Sequence, residues 1–111
     1  MQVNEYQDKA MYFRSPELSK EDGLINSTMG MCGEAGEAID HVKKVRFHGH
    51  ELDKEYLCKE LGDIAWYLAE AAWALDLTLE EVFSRNISKL SARYPEGFSK
   101  ERSIHRNPED H

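Results

Sequence analysis

Cysteine is scarce in this chain. Cys32 and Cys58 show no CxxC spacing and no paired histidines that would suggest zinc, so thiol and zinc chemistry lack support. A reducing, cytoplasmic setting is expected. Long apolar runs are also missing, because Glu70 interrupts the stretch from Ile64 to Leu75. The opening residues Met1 to Glu5 have no basic segment leading into an apolar one. Neither secretion nor membrane insertion is expected. Positive charge is in deficit: 14 Lys and Arg stand against 21 Asp and Glu, a formal net charge of −7. Binders of duplex nucleic acid gather cations to displace counterions, so this balance excludes that class and means that a phosphate ligand would need a metal as intermediary. No segment alternates cleanly enough to make a half-buried strand.

What remains is the pattern of one all-α domain. A length of 111 residues leaves no room for a second core of useful size, and 41% hydrophobic with 32% charged residues fits a folded soluble chain. Caps and breakers predict four helices. The first starts after Asn4 and stops near Ser15-Pro16, and the second runs from about Gly23 or Leu24 to Phe47 before the His48-Gly49-His50 turn. The third covers about Asp53 or Lys54 to Leu75. The fourth opens at the capping box Thr78-Leu79-Glu80-Glu81 and closes near Tyr94-Pro95. The domain is expected over residues 1–98, and residues 99–111 read as a polar, irregular tail.

Helical spacing gathers the acids. On the third helix Glu60, Asp63, Tyr67 and Glu70 share one sector, between an apolar stripe of Leu57, Leu61, Ile64, Leu68 and Leu75 and a second one containing Trp66 and Trp73. On the second helix Glu34, Glu37, His41 and Lys44 lie beside a core side of Met31, Ala35, Ala38, Ile39 and Val42. If the short connection at Gly49 makes these helices antiparallel neighbours, the pairs Glu34/Glu37 and Glu60/Asp63 face each other. Four converging carboxylates repel and call for a cation, and hard oxygen donors suit magnesium or manganese. A single such pair is usually just a solvated face, but two pairs on consecutive helices beside the helix-weakening Gly30, Gly33 and Gly36 are harder to explain that way. A ferritin-like di-metal site would need Glu-x-x-His, which the chain lacks.

On the fourth helix Asn86, Lys89 and Arg93 form a polar edge whose cations suit phosphate, although solvated cations near a helix end would look the same. Two apolar sides on the third helix imply more burial than one small chain provides, so self-association is expected. The residues leave a second class open, a non-enzymatic helical module that senses nucleotides or binds a partner.

Three ordered blocks resemble the MazG-like nucleotide pyrophosphohydrolases: Gly30-Met31-Cys32-Gly33-Glu34-Ala35-Gly36-Glu37-Ala38 with Lys43-Lys44; Lys59-Glu60-Leu61-Gly62-Asp63 continuing to Leu68; and Asn86-Ile87-Ser88-Lys89-Leu90 with Arg93-Tyr94-Pro95 continuing to Ser99. The likeness covers about residues 20–106. It implies a four-helix bundle completed by oligomerisation, as a homodimer or homotetramer. It also implies Mg2+-dependent cleavage (Mn2+ being an alternative) of an NTP or dNTP to the monophosphate and pyrophosphate, with metal-activated water attacking the α-phosphorus. It carries metal ligation and catalysis to Glu34, Glu37, Glu60 and Asp63, and substrate contacts to Lys44, Asn86, Lys89, Arg93 and Tyr94. Many members have EExxE where Gly33 stands here, so the number of metals stays open.

Overall fold

The computed structural model describes residues 1–109, and all of its regular elements are helices. In order they are α1 (Val3–Met11), α2 (Lys20–His48), α3 (Lys54–Ala74), α4 (Leu79–Arg93) and α5 (Lys100–Ile104). The all-α expectation holds, with no strand among the described residues. Backbone packing divides the chain into two compact units, one spanning Met1–Leu79 and the other beginning at Glu80.

Helix ends differ from expectation where local caps decide them. α2 starts at Lys20, one turn early, because the Ser19 hydroxyl accepts from the Asp22 N–H at 3.1 Å and relieves an otherwise orphaned donor. α1 begins at Val3 with no side-chain cap, so Asn4 lies inside it. It also ends early, since the N–H groups of Phe13 and Arg14 reach back only three residues, to Ala10 and Met11. Gly49 closes α2 in the left-handed conformation at φ 74°, as its position suggested. Asp76 takes the same conformation after α3, where a short polar side chain tolerates it.

α2 packs along α3, and their contacts run in opposite directions along the two helices. Lys20 pairs with Asp76, Asn26 with Glu70, Gly30 touches Tyr67, and His41 meets Tyr56. Each step forward on α2 is matched by an equal step back on α3, which defines an antiparallel hairpin. Gly23, Ser27, Gly30, Glu34, Glu37 and His41 recur at the alternating four- and three-residue spacing of a helix–helix seam. Small and polar residues of α2 therefore line much of the joint.

This corrects the expected core. Part of each acidic sector, Glu34 with Glu60 and Glu70, is drawn into the packing of α2 against α3, while Met31, Ala38, Leu57, Ile64 and Leu68 of the expected core are half-buried. Ile39, expected on the core side of α2, is 63% exposed, and Leu61 in the leucine stripe of α3 is equally bare. The tryptophan side of α3 does find partners in α1 and the link after it: Trp66 Nε1 donates to the Ala10 carbonyl at 2.9 Å, and the Arg14 guanidinium stacks 4.0 Å from the centre of the Trp73 ring.

Two buried polar side chains hold the first unit. Gln7 donates to the carbonyls of Ala69 and Leu77 and accepts from the Leu79 N–H, tying α1 to α3 and to the turn that follows it. Glu70, fully buried, receives Arg14 Nε at 3.1 Å and Asn26 Nδ2 at 2.9 Å. The same guanidinium donates to the Leu18 and Ser19 carbonyls, so one arginine fixes the link between α1 and α2 against α3.

In the second unit, α4 is followed by a turn in which Gly97 has φ 89° and its N–H bonds to the Tyr94 carbonyl at 3.0 Å. α5 then forms where the sequence reading expected an irregular tail. Ser99 caps it by accepting from the Arg102 N–H, and five residues are too few to show a period.

Candidate metal centre

The α2–α3 seam brings Glu34, Glu37 and Glu60 together, with one carboxylate oxygen from each within 4.8 Å of the others. Glu34 and Glu37 are three residues apart on α2, so both project toward α3 one turn from each other. Glu60 is buried, Glu34 is half-buried and Glu37 is exposed, so the cluster has a dry floor and an open side.

Glu34 Oε2 and Glu60 Oε2 are buried without a hydrogen-bond partner. Each faces other acceptors, and no N–H or O–H reaches it. Carboxylates held this way coexist only by sharing a proton or a cation. In the absence of a cation, the hydrogen bond that protonated Glu60 makes with Glu34, followed by burial and then by Glu37, pushes the Glu60 carboxyl up to about 7. Two buried, unpartnered oxygens in an all-carboxylate donor set fit a hard divalent cation.

By the register of the hairpin Asp63 comes opposite Glu34, one turn beyond Glu60. Its carboxylate is not part of the three-acid group. Asp63 is exposed, and its charge acts on Tyr6 of α1, whose hydroxyl is pushed up first by burial and then by Asp63. Three of the four expected ligands thus converge, and the fourth is adjacent on the same helix.

Tyr56 belongs to this neighbourhood and was missed by sequence reasoning. Its hydroxyl is pushed up by burial and then by the charges of Glu60, Glu37, Asp40 and Glu34, which places the phenol beside the acids. The signal was available, since Tyr56 precedes Glu60 by four residues. Below it, His41 Nε2 accepts the Asp53 N–H at 3.0 Å and pins the start of α3 to α2.

The expected substrate residues are distributed over both units. Lys44 lies in the first, bonded to Asp40 at 3.0 Å, and lines a hollow of about 230 Å³ with His41, His50 and Tyr56. Asn86, Lys89 and Arg93 lie on α4 in the second, and Tyr94 follows directly, its ring 5.4 Å from that of Phe98.

Residues 24–98 match the model of the MazG nucleotide pyrophosphohydrolase domain. The chain belongs to the MazG family. The match contains the three clustered acids, Asp63 and the whole of α4. A relative, the Gene 37 protein of Mycobacterium phage L5, is 37% identical over 105 residues, covering 87% of this chain and 92% of that protein. No solved structure matches. MazG membership places the acids in a family of nucleotide pyrophosphohydrolases, and no described helix is long and apolar enough to cross a membrane.

Proposed function

We propose that this chain is an Mg2+-dependent nucleoside triphosphate pyrophosphohydrolase, cleaving an NTP or dNTP between its α- and β-phosphates to the monophosphate and pyrophosphate. The observation that carries the reading is the pair of buried, unpartnered carboxylate oxygens on Glu34 and Glu60, inside the span that matches the MazG domain. Glu34, Glu37 and Glu60 would hold the cation, with Asp63 completing the set. A hard cation there supplies charge neutralisation on phosphate oxygens and makes water a better nucleophile at neutral pH.

The protein's own groups divide the remaining work. An acid of the cluster orients the attacking water toward the α-phosphorus and takes its proton. Lys89 and Arg93 meet the negative charge of the departing pyrophosphate, with Lys44 once it leaves Asp40. Asn86 and Tyr94 contact the sugar or base. A second copy of the chain covers the bare apolar faces of α2 and α3, so the working form is a homodimer or homotetramer.

Phosphorus NMR of single nucleotides incubated with protein and Mg2+ tests the reaction. Monophosphate and pyrophosphate should appear together; orthophosphate without pyrophosphate would defeat the proposal. Asp63→Asn should abolish turnover with the helical circular dichroism unchanged. A nonhydrolysable triphosphate that raises the melting temperature, with no nucleotide cleaved, would favour a sensor instead.

A further inference from the structure

The chain has six arginines, and three of them, Arg93, Arg102 and Arg106, lie within fourteen residues and line one cleft of about 670 Å³ in the second unit. Arg93 ends α4, Arg102 lies on α5, and Arg106 lies two residues beyond the end of α5. His105 and Asn107 line the same cleft, and Glu109 is the single carboxylate on its wall among the described residues.

Arg102, His105 and Arg106 are exposed and Arg93 is half-buried, and two features set the arrangement apart from scattered surface cations. The fold builds it: the turn at Gly97 reverses the chain, Ser99 caps α5, and the Asn107 side chain accepts the Glu109 N–H at 3.0 Å, shaping the far wall. Two of its cations are also unneutralised, since among the described residues neither Arg102 nor Arg106 forms an ion pair with a carboxylate. Three guanidinium groups stay charged at any physiological pH and repel across a shared cavity. Their field reaches Tyr94, whose hydroxyl is held below the usual phenol range by its hydrogen bond to Ser103 and then by Arg93 and Arg106.

We propose that the α4–α5 cleft is a binding site for a condensed phosphate, a di- or triphosphate group gripped by Arg102 and Arg106 with His105, alongside Arg93. Guanidinium forks match phosphate oxygens two at a time, and several forks around one cavity suit a ligand with several anionic centres better than a single orthophosphate. The acidic balance of the chain, −7 overall, disfavours a nucleic-acid backbone as occupant. The choice of condensed phosphate rests on the pyrophosphohydrolase reading; the preference for an anion rests on the cleft alone. The phosphate is either free pyrophosphate or the tail of a nucleoside triphosphate.

Calorimetric titration of the full chain in EDTA tests the cleft independently of the acids. Inorganic pyrophosphate should bind, orthophosphate should bind at least tenfold more weakly, and Arg102→Ala with Arg106→Ala should weaken pyrophosphate at least tenfold. Arg85→Ala, which removes an exposed arginine paired with Glu81 outside the cleft, should change nothing. A nonhydrolysable triphosphate that depends equally on Arg102 and Arg106 identifies the substrate tail as the source, whereas pyrophosphate binding alone identifies the free product. Should the double variant unfold, the His105 ring carbon–proton NMR signal of the unaltered chain, assigned with His105→Gln, should move on adding pyrophosphate. No binding in EDTA, affinity unchanged in a folded double variant, or a stationary His105 signal overturns the cleft assignment. Glu60→Gln separates the two readings: it should abolish turnover and leave pyrophosphate binding in EDTA intact.

Discussion

Glu60 shows how one residue can oppose the fold that contains it. Its carboxyl has an ordinary value of 4.5 and is pushed up to about 7, so the folded state binds a proton that the unfolded chain has released. A raised carboxyl favours folding below 4.5, and its contribution is lost as pH rises toward about 7. Without divalent cations, the melting temperature should therefore fall across that window. Glu60→Gln, scanned by calorimetry in EDTA, should flatten the fall, and Mg2+ added to the unaltered chain at neutral pH should reverse it. Glu70 is the opposite case, a buried acid that is fully satisfied. Arg14→Met leaves it with Asn26 alone and should cost about 3–5 kcal/mol in urea unfolding.

At the scale of the helix, the glycines of α2 separate by what they face. A Cβ on Gly30 would stand 2.4 Å from Tyr67 Cε1, whereas nothing lies within 4 Å of one on Gly33 or Gly36. Gly30→Ala gains about 1 kcal/mol of helix propensity but forces a half-buried ring to move, at about 1–3 kcal/mol, so it should destabilise. Gly36→Ala meets no obstacle in a single chain and should stabilise by about 0.8–1.0 kcal/mol in the same urea titration. Helix type and order were legible in the sequence because breakers such as Pro16, Gly49 and Pro95 punctuate it. The seam was not, because apolar spacing marks a core only where the core is apolar. Here Gly30 and Ser27 allow the helices to approach, and Glu34, Glu37 and Glu60 meet in the gap. Sequence spacing still selected those three acids, but it could not show that Asp63 stands outside their group, or that α5 exists.

For the whole molecule, the bare side chains define what a single chain leaves undone. Fully buried apolar residues of the described chain are four alanines and Leu79, while Ile25, Met29, Ile39 and Leu61 remain exposed. So little buried area is thin support for a domain of this size, and the proposed second copy would supply the missing surface. Analytical ultracentrifugation should show a dimer or tetramer, and Leu61→Glu should shift it toward monomer, lowering the melting temperature at the same time.

The antiparallel register of α2 and α3 has a kinetic consequence. All three clustered acids come from one hairpin joined by the five residues 49–53, so their meeting requires little loop closure and belongs to the early, local part of folding. The repulsion among them is then met while the hairpin closes, before distant contacts such as Gln7 with Leu79 can compensate. Divalent ions would act chiefly on how fast this protein folds, and less on how fast it comes apart.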